Sequence, residues 1–352
     1  MQAPQKEKKC PPVEVVASFF SNVNEPKPKD TDFSKDGTMF VSSHLDDSVR
    51  ICHVPSMHHS DTIQCDNFGV HAARFTHSNH ILCVAPRHQL DGHLHLLNVE
   101  TAQFYSAMAY MDDVAGELVP QANTPVYNSI EQCPSTDVLA ATLTVKGSLA
   151  LFHPLVGGAI ACSPDRSVVG IKPCICFSPD GSQIAVGDDK QVTIFDRRML
   201  FEKPLAQLKT NDIFTFNTSS ARCRSIDVFA DHYLFSSSWG ETLIYSVKER
   251  ASVTNYFHNE VRRHFVGSSD AVGARYVHPY SADSCVVQPT CTLVGGRHLF
   301  LYEGATPDKE KGGLHCAVQA KDGDSPVSLS VNPRYNIVCT AARSITWWSV
   351  NI

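Results

Sequence analysis

Seventeen histidines and thirteen cysteines give this 352-residue chain most of its capacity for chemistry, and metal binding is what those types invite. The closest histidine pairs are His58-His59 and His93 with His95, and the second pair would share one face of a strand. A zinc centre needs three or four ligands. No third ligand stands at a readable spacing from either pair, so these histidines read as strand-surface or edge residues and no metal is expected. The cysteines include no Cys-x-x-Cys, are odd in number, and sit mostly in apolar stretches such as those around Cys52, Cys83, Cys176 and Cys339. Buried reduced thiols behave as small hydrophobes, so the pattern predicts a reducing, intracellular compartment and no disulfide framework. The chain has no His-Glu-x-x-His, no Gly-x-Ser-x-Gly and no phosphate-cradling glycine loop. Gly157-Gly158 and Gly295-Gly296 are isolated pairs of the kind found at turns and strand edges. Nothing nominates a Cys–His nucleophile pair. The expectation is a chain without catalysis and without a cofactor.

What must position these side chains is a repeat. Its clearest copy reads Cys176-Phe177-Ser178-Pro179-Asp180-Gly181, then Gln183-Ile184-Ala185-Val186-Gly187, Asp188-Asp189-Lys190, and Gln191-Val192-Thr193-Ile194-Phe195-Asp196-Arg197. A second copy is Asp32-Phe33-Ser34-Lys35-Asp36-Gly37, Met39-Phe40-Val41-Ser42-Ser43, Asp46-Asp47 and Val49-Arg50-Ile51-Cys52-His53. Each is strand, tight turn, strand, tight turn, strand, and the turn aspartates Asp46, Asp47, Asp188 and Asp189 read as structural. Copies recur at roughly 40 to 55 residues, the period of β-propeller blades. They span about 30–64, 69–108, 125–163, 170–209, 221–259, 272–319 and 326–352. The last stops after its third strand, Ser344-Ile345-Thr346-Trp347-Trp348, whereas a blade has four. The alternating segment Val13-Glu14-Val15-Val16-Ala17-Ser18-Phe19-Phe20 has no blade of its own. The sequence therefore predicts an all-β, seven-bladed WD40 β-propeller over residues 12–352, its ring closed by the N-terminal strand in the last blade, after a disordered tail over residues 1–11. One helical turn is expected at Asp112–Leu118.

Charged residues make up 19% of the chain and the net charge is −6, so no global field pulls it onto nucleic acid or anionic membrane. No apolar run is long enough to span a membrane, and the polar segment Met1–Lys9 lacks a signal-peptide core. Its lysines read as a solvated tail. A propeller engages partners through its loops, where arginine and aromatic side chains make the stronger anchors. The candidates are His44, Arg87, His88, Arg222, Arg224, Trp239, Arg275, Tyr276 and Arg343.

Several stretches go beyond a generic repeat. Phe68-Gly69-Val70, followed after three residues by Arg74-Phe75-Thr76-His77, resembles the second blade of the WD repeat-containing protein 82 (Swd2-type) family. Leu90-Asp91-Gly92 with Leu94-His95-Leu96-Leu97 is similar to the strand that follows in that family. Asp32-Phe33-Ser34 with Val41-Ser42-Ser43-His44-Leu45-Asp46-Asp47-Ser48-Val49 resembles its first blade, and Val331-Asn332-Pro333-Arg334-Tyr335 with Thr340-Ala341-Ala342-Arg343-Ser344 and Trp347-Trp348 its last. In the third, fifth and sixth copies only the general pattern remains. The resemblance implies a nuclear, non-catalytic scaffold. Such subunits serve the complex of protein phosphatase 1 with its PNUTS targeting subunit at transcription termination, COMPASS-type histone H3 lysine-4 methyltransferases, or the cleavage and polyadenylation factor. It implies protein partners of those kinds, and neither direct nucleic-acid contact nor membrane.

Other readings compete. Phe195-Asp196-Arg197-Arg198 is similar to the aromatic-Asp-x-Arg box of cullin–RING ubiquitin ligase substrate receptors, which would make Arg198 an adaptor contact. Val261-Arg262-Arg263-His264 lacks the flanks of the Phe-Arg-Arg-Gly run of phosphoinositide-binding propellers. A propeller hydrolase would need acids or histidines converging in a central channel, and no sequence feature points there.

Overall fold

The computed structural model describes residues 13–20, 24–88, 92–110, 127–143, 148–163, 173–200, 202–214, 223–229, 232–237, 241–256, 273–277, 290–295, 298–302, 314–319 and 327–350. The expected tail at 1–11 and the expected helical turn at 112–118 lie outside them. The architecture is all-β, a succession of antiparallel four-stranded meanders. The first holds β2 (Pro28–Phe33), β3 (Met39–His44), β4 (Ser48–His53) and β5 (His58–Gln64). The second holds β6 (Ala72–Phe75), β7 (Ile81–Ala85), β8 (His93–Asn98) and β9 (Gln103–Ala109). The third holds β10 (Tyr127–Gln132), β11 (Leu139–Leu143), β12 (Ser148–His153) and β13 (Gly158–Cys162). The fourth holds β14 (Cys174–Phe177), β15 (Gln183–Gly187), β16 (Gln191–Asp196) and β17 (Ala206–Lys209). The fifth holds β18 (Cys223–Phe229), β19 (His232–Ser237), β20 (Thr242–Ser246) and β21 (Ala251–Tyr256), and the sixth β22 (Gly273–Val277), β23 (Thr290–Gly295), β24 (His298–Tyr302) and β25 (Leu314–Gln319). The last runs β26 (Ser328–Val331), β27 (Ile337–Ala341) and β28 (Ile345–Val350), and β1 (Val13–Phe19) pairs antiparallel with β28 as its fourth strand.

Two details depart from the simple repeat. The second and third meanders join at their outer edges through one parallel bridge, Gly158 to Ala109, with the Ala109 amide donating to the Gly157 carbonyl at 3.1 Å. Residues 207–209 complete β17 at the end of the fourth copy, and a single α-helical turn, Thr210–Ile213, follows it.

The first strand of each meander lies innermost, beside the first strand of the next: β2 with β6, β6 with β10, β10 with β14, β14 with β18, β18 with β22, β22 with β26, and β26 with β2. These strands run the same way. Lys29 Nζ donates to the Val70 carbonyl at 3.1 Å near the start of β2 and β6, and the Phe75 amide donates to Asp32 Oδ2 at 2.9 Å near their ends. Loops between second and third strands therefore share one rim with the connections between meanders. The remaining loops share the opposite rim.

Turns between first and second strands show how the repeat is built. In the first and fourth meanders a serine hydroxyl donates to an aspartate two residues on, Ser34 to Asp36 at 2.7 Å and Ser178 to Asp180 at 2.5 Å. A glycine follows each aspartate in the left-handed region, Gly37 at φ +72° and Gly181 at φ +71°. These glycines also make room for the neighbouring meander. A Cβ on Gly181 would lie 2.3 Å from Ser135 Oγ and 2.5 Å from Cys133 Sγ, and one on Gly37 2.4 Å from Asn332 Oδ1. Gly157 has the same φ of +71° and open space around it.

That contrast yields a test. Gly157→Ala should cost only the backbone term, about 1 kcal/mol, whereas Gly181→Ala should cost about 2–3 kcal/mol because the neighbouring turn must also shift. Denaturant unfolding of the two variants measures the difference. Deleting residues 13–19 should lower the melting temperature by about 10 °C or more and raise binding of a hydrophobic dye, since the β28 edge and Trp347 lose their cover.

Candidate functional site

The innermost strands bring together charged side chains that are far apart in sequence. A cavity of about 380 Å³ is lined by Lys29 and Asp30 of β2, Arg74 of β6, Glu131 of β10, Cys174 of β14 and Arg224 of β18, and by His71 just before β6. A second cavity of about 190 Å³, towards the far ends of these strands, is bordered by Asp32, Arg74, Glu131 and Asp227. Together they form a polar channel along the inner strands. No sequence feature pointed to acids or histidines converging in a central channel, and the structure brings Asp30, Glu131 and His71 to one cavity. A charged residue inside the short first strand of a repeat was the available signal, because that strand alone faces the axis.

The channel charges are largely committed to one another. Arg74 forms an ion pair with Asp30 at 2.5 Å and donates to the Ala73 and Thr31 carbonyls at 3.2 and 3.4 Å. Burial works against the guanidinium's charge, but Asp30, Asp32 and Glu131 more than compensate and hold it protonated. Burial pushes the Asp32 carboxyl up to about 6, against the pull of Arg74 and the Phe75 amide. Burial also lowers the Lys29 ammonium, helped by Arg87. The His71 imidazole is lowered by burial and then by Lys29, and its Nε2 lies 3.3 Å from the Asn128 carbonyl. This is a mixed-charge seam that ties β2, β6 and β10 together.

One serine–histidine pair has the spacing of a nucleophile and base: Ser42 Oγ and His44 Nε2 are 2.9 Å apart. Both residues have no exposed surface. His44 Nδ1 bonds the Pro26 carbonyl at 3.0 Å, and burial pushes the imidazole down to about 4. His44 is therefore a neutral internal strut. Its expected availability to a partner is corrected, since the β3 end on which it sits is packed beneath the preceding segment.

Arg87 and His88 belong to the loop between β7 and β8. Arg87 bonds the Leu45 carbonyl at 3.1 Å and pairs with Asp47, and His88 Nε2 lies 3.6 Å from Asp47. Asp47 also accepts the Val70 amide at 3.0 Å, so this turn aspartate reaches the next meander. Asp46 and Asp188 cap their own turns, accepting Ser48 Oγ at 2.6 Å and the Gln191 amide at 2.8 Å. The Phe68 carbonyl accepts the Arg87 and His88 amides at 3.1 and 2.9 Å, and Gly69, at φ +66°, approaches His88 too closely for a Cβ. The run Phe68-Gly69-Val70 is thus the joint that holds Arg87 and His88 in place.

Arg343 is exposed in the turn between β27 and β28, on the same rim. Arg224, expected in a loop, lies in β18 and lines the channel, and Arg275 and Tyr276 lie in β22. The loop expectation fails for these three because they sit on the first strands of the fifth and sixth meanders, inside the repeats expected at 221–259 and 272–319. Arg222 and Trp239 fall outside the described residues. Arg198 is exposed on the opposite rim, in a 3₁₀ turn whose start is capped by Asp196 at 2.8 Å from the Arg198 amide. Its neighbour Arg197 turns inward, to Thr136 Oγ1 at 2.9 Å and Cys133 Sγ at 3.3 Å.

His58 and His59 lie on the outer strand β5 with His58 exposed, as read, whereas His93 and His95 are half-buried on β8. His95 stacks on Phe68, ring centroids 3.9 Å apart and planes within 10°, and His93 lies 6.5 Å from it. Among the described residues no three His, Cys, Asp or Glu side chains are grouped as a metal site would require. Among them, too, no helix is long and apolar enough to cross a membrane.

No family model matches this chain, and no curated protein matches it. Among solved structures it is similar to a chain of the "Crystal Structure of Mitotic Checkpoint Complex", with TM-score 0.67 and 14% identity over 100% of this chain and 96% of that one. At that identity the likeness is one of fold alone, that of a β-propeller.

The Asp32 carboxyl gives a pH signature. Its pKa is raised in the folded state, so ionising it costs stability as pH rises from about 4 through 6. Asp32→Asn keeps an acceptor for the Phe75 amide and removes that cost. Relative to the parent, the variant should gain up to about 2 kcal/mol between pH 4 and pH 7, the partial exposure of Asp32 trimming the full penalty. Urea unfolding at the two pH values reads this.

Proposed function

We propose that this chain is a seven-bladed, closed WD40 propeller acting as a non-catalytic scaffold in a nuclear complex that controls transcription, of the type joining a PNUTS-like targeting subunit to protein phosphatase 1. The scaffold role rests on one rim. The loops between second and third strands hold Arg87 and His88 in a fixed frame of Asp47, Leu45 and Phe68, and present Arg343 to solvent on the same rim. Pre-positioned arginines lose less freedom on binding than mobile ones. The particular complex rests on the resemblance of the first two repeats and the last to the WD repeat-containing protein 82 family. The Phe68-Gly69-Val70 run, which makes the joint behind Arg87, belongs to that resemblance. The same resemblance serves a COMPASS-type methyltransferase or a cleavage and polyadenylation complex. A cullin–RING substrate receptor is the second reading, favoured by exposed Arg198 on the far rim.

Affinity purification of the tagged protein from nuclear extract separates these. Protein phosphatase 1 with a PNUTS-like subunit should remain bound in moderate salt. Arg343→Glu should lower its recovery about tenfold, the effect of a hot-spot charge reversal, and Arg198→Ala should leave it unchanged. A cullin adaptor recovered instead, and lost with Arg198→Ala, would overturn the scaffold reading in favour of the ligase.

A further inference from the structure

Cys174 opens β14 and Cys223 opens β18, on adjacent innermost strands of the fourth and fifth meanders. Their sulfurs lie 3.8 Å apart, although the residues are 49 positions apart in sequence. Both are held towards backbone carbonyls. Cys174 Sγ lies 3.5 Å from the Gly187 carbonyl and 3.8 Å from that of Cys223, and Cys223 Sγ lies 3.7 Å from the Ser225 carbonyl. A disulfide needs a separation of about 2 Å, so rotation of one or both side chains must close the remaining gap.

Room for that rotation comes from Gly187, which pairs with Cys174 across β14 and β15. A Cβ at this position would sit 2.8 Å from Cys223 Sγ and 3.1 Å from Cys174 Sγ. Its absence leaves space beside both sulfurs. Access comes from the channel. Cys174 is half-buried and lines the 380 Å³ cavity, whereas Cys223 is 1% exposed. The two thiols are therefore not equivalent: solute meets Cys174 first, and Cys223 waits behind it.

We infer that Cys174 and Cys223 form an oxidation site, at which a peroxide entering the channel converts the two thiols into a disulfide joining the fourth and fifth meanders. The Cys174 thiolate attacks one peroxide oxygen, forming an S–O bond and breaking the O–O bond. The leaving hydroxide takes up the thiol proton and departs as water. Cys223 sulfur then attacks the Cys174 sulfenic acid, forming the S–S bond and breaking S–O. The second hydroxide leaves with the Cys223 proton as another water. Two electrons pass from the sulfurs to the peroxide, and two thiols plus hydrogen peroxide become a disulfide and two waters. The order of attack agrees with the electrostatics. The hydrogen bond with Cys174, reinforced by burial, holds the Cys223 thiol well above the ordinary range, so Cys223 keeps its proton until its partner has been oxidised.

Purified full-length protein, reduced and freed of reductant, is treated with graded hydrogen peroxide. It is then denatured in N-ethylmaleimide and digested without reduction. Mass spectrometry should find a peptide pair joined through Cys174 and Cys223, lighter by two hydrogens, with two fewer alkylated cysteines, all reversed by dithiothreitol. Cys176→Ser should leave the cross-link intact, and Cys223→Ser should leave Cys174 as a sulfenic acid that a dimedone probe traps. The oxidised parent should melt several degrees higher than the reduced form, which reads the link without any variant. The proposal fails if Cys174 passes to sulfinic acid while Cys223 remains alkylatable. It fails equally if the cross-link runs through Cys176, or if both thiols stay reduced while other cysteines oxidise.

Discussion

Trp347 is fully buried only because three distant parts of the chain meet around it. Phe19 of β1 meets its ring edge-on at 4.7 Å, and Phe33 and Phe40 of the first meander lie 6.0 and 5.3 Å away. Cys339, Ala341 and Ile345 of the last meander complete the cluster. Polar contacts follow the same seam: Thr31 Oγ1 lies 2.9 and 3.1 Å from the Ser328 and Ser330 hydroxyls, and Asn332 Nδ2 donates to the Gly37 carbonyl at 2.8 Å. A four-stranded meander has two faces and cannot cover both alone. Each depends on its neighbours, and the first and last can have neighbours on both sides only if they meet. The channel, the rim and the thiol pair all presuppose this seam.

Much of this was legible in the chain. The Phe-Ser-x-Asp-Gly turns of the first and fourth copies announce themselves because the serine, the aspartate and the glycine each do a local job that few other residues can do. The unpaired alternating segment at 13–20 could be assigned to the last sheet because that copy stops a strand short. The channel was not legible in the same way. Asp30, Asp32, Arg74, Glu131 and Asp227 are scattered singly over some two hundred positions, and each looks like an ordinary polar residue in a half-buried strand. They become a group only when the inner strands are laid side by side in parallel. His44 misled for the opposite reason. A histidine beside a turn reads as a surface residue, and nothing local shows that Pro26 folds over it to accept its Nδ1 proton.

The charged groups inside the molecule serve cohesion. Arg74 spans Asp30 and the Thr31 carbonyl, so it links one inner strand to the next through charge-assisted bonds in a poorly hydrated setting. Such pairs add little net stability over apolar packing, but losing one partner leaves the other stranded. Their value lies in register: adjacent parallel strands that share no ladder hydrogen bonds need something else to fix how they slide. The rim formed by the loops between second and third strands uses the same device at the surface, where Asp47 joins the loop of one sheet to Arg87 and Val70 of the next.

The pairing of β1 with β28 also sets a clock. Val13 and its partner Val350 are made roughly 340 residues apart. At ribosomal speeds of about 5–20 residues per second, the segment Val13–Phe19 waits about 15–70 s for the edge it will join. Through that interval a strand rich in valine and phenylalanine has no mate, while the sheets between fold one after another. The last sheet is thus completed only when chain ends separated by all the other sheets meet, and a chaperone that covers Val13–Phe19 has that whole interval in which to act.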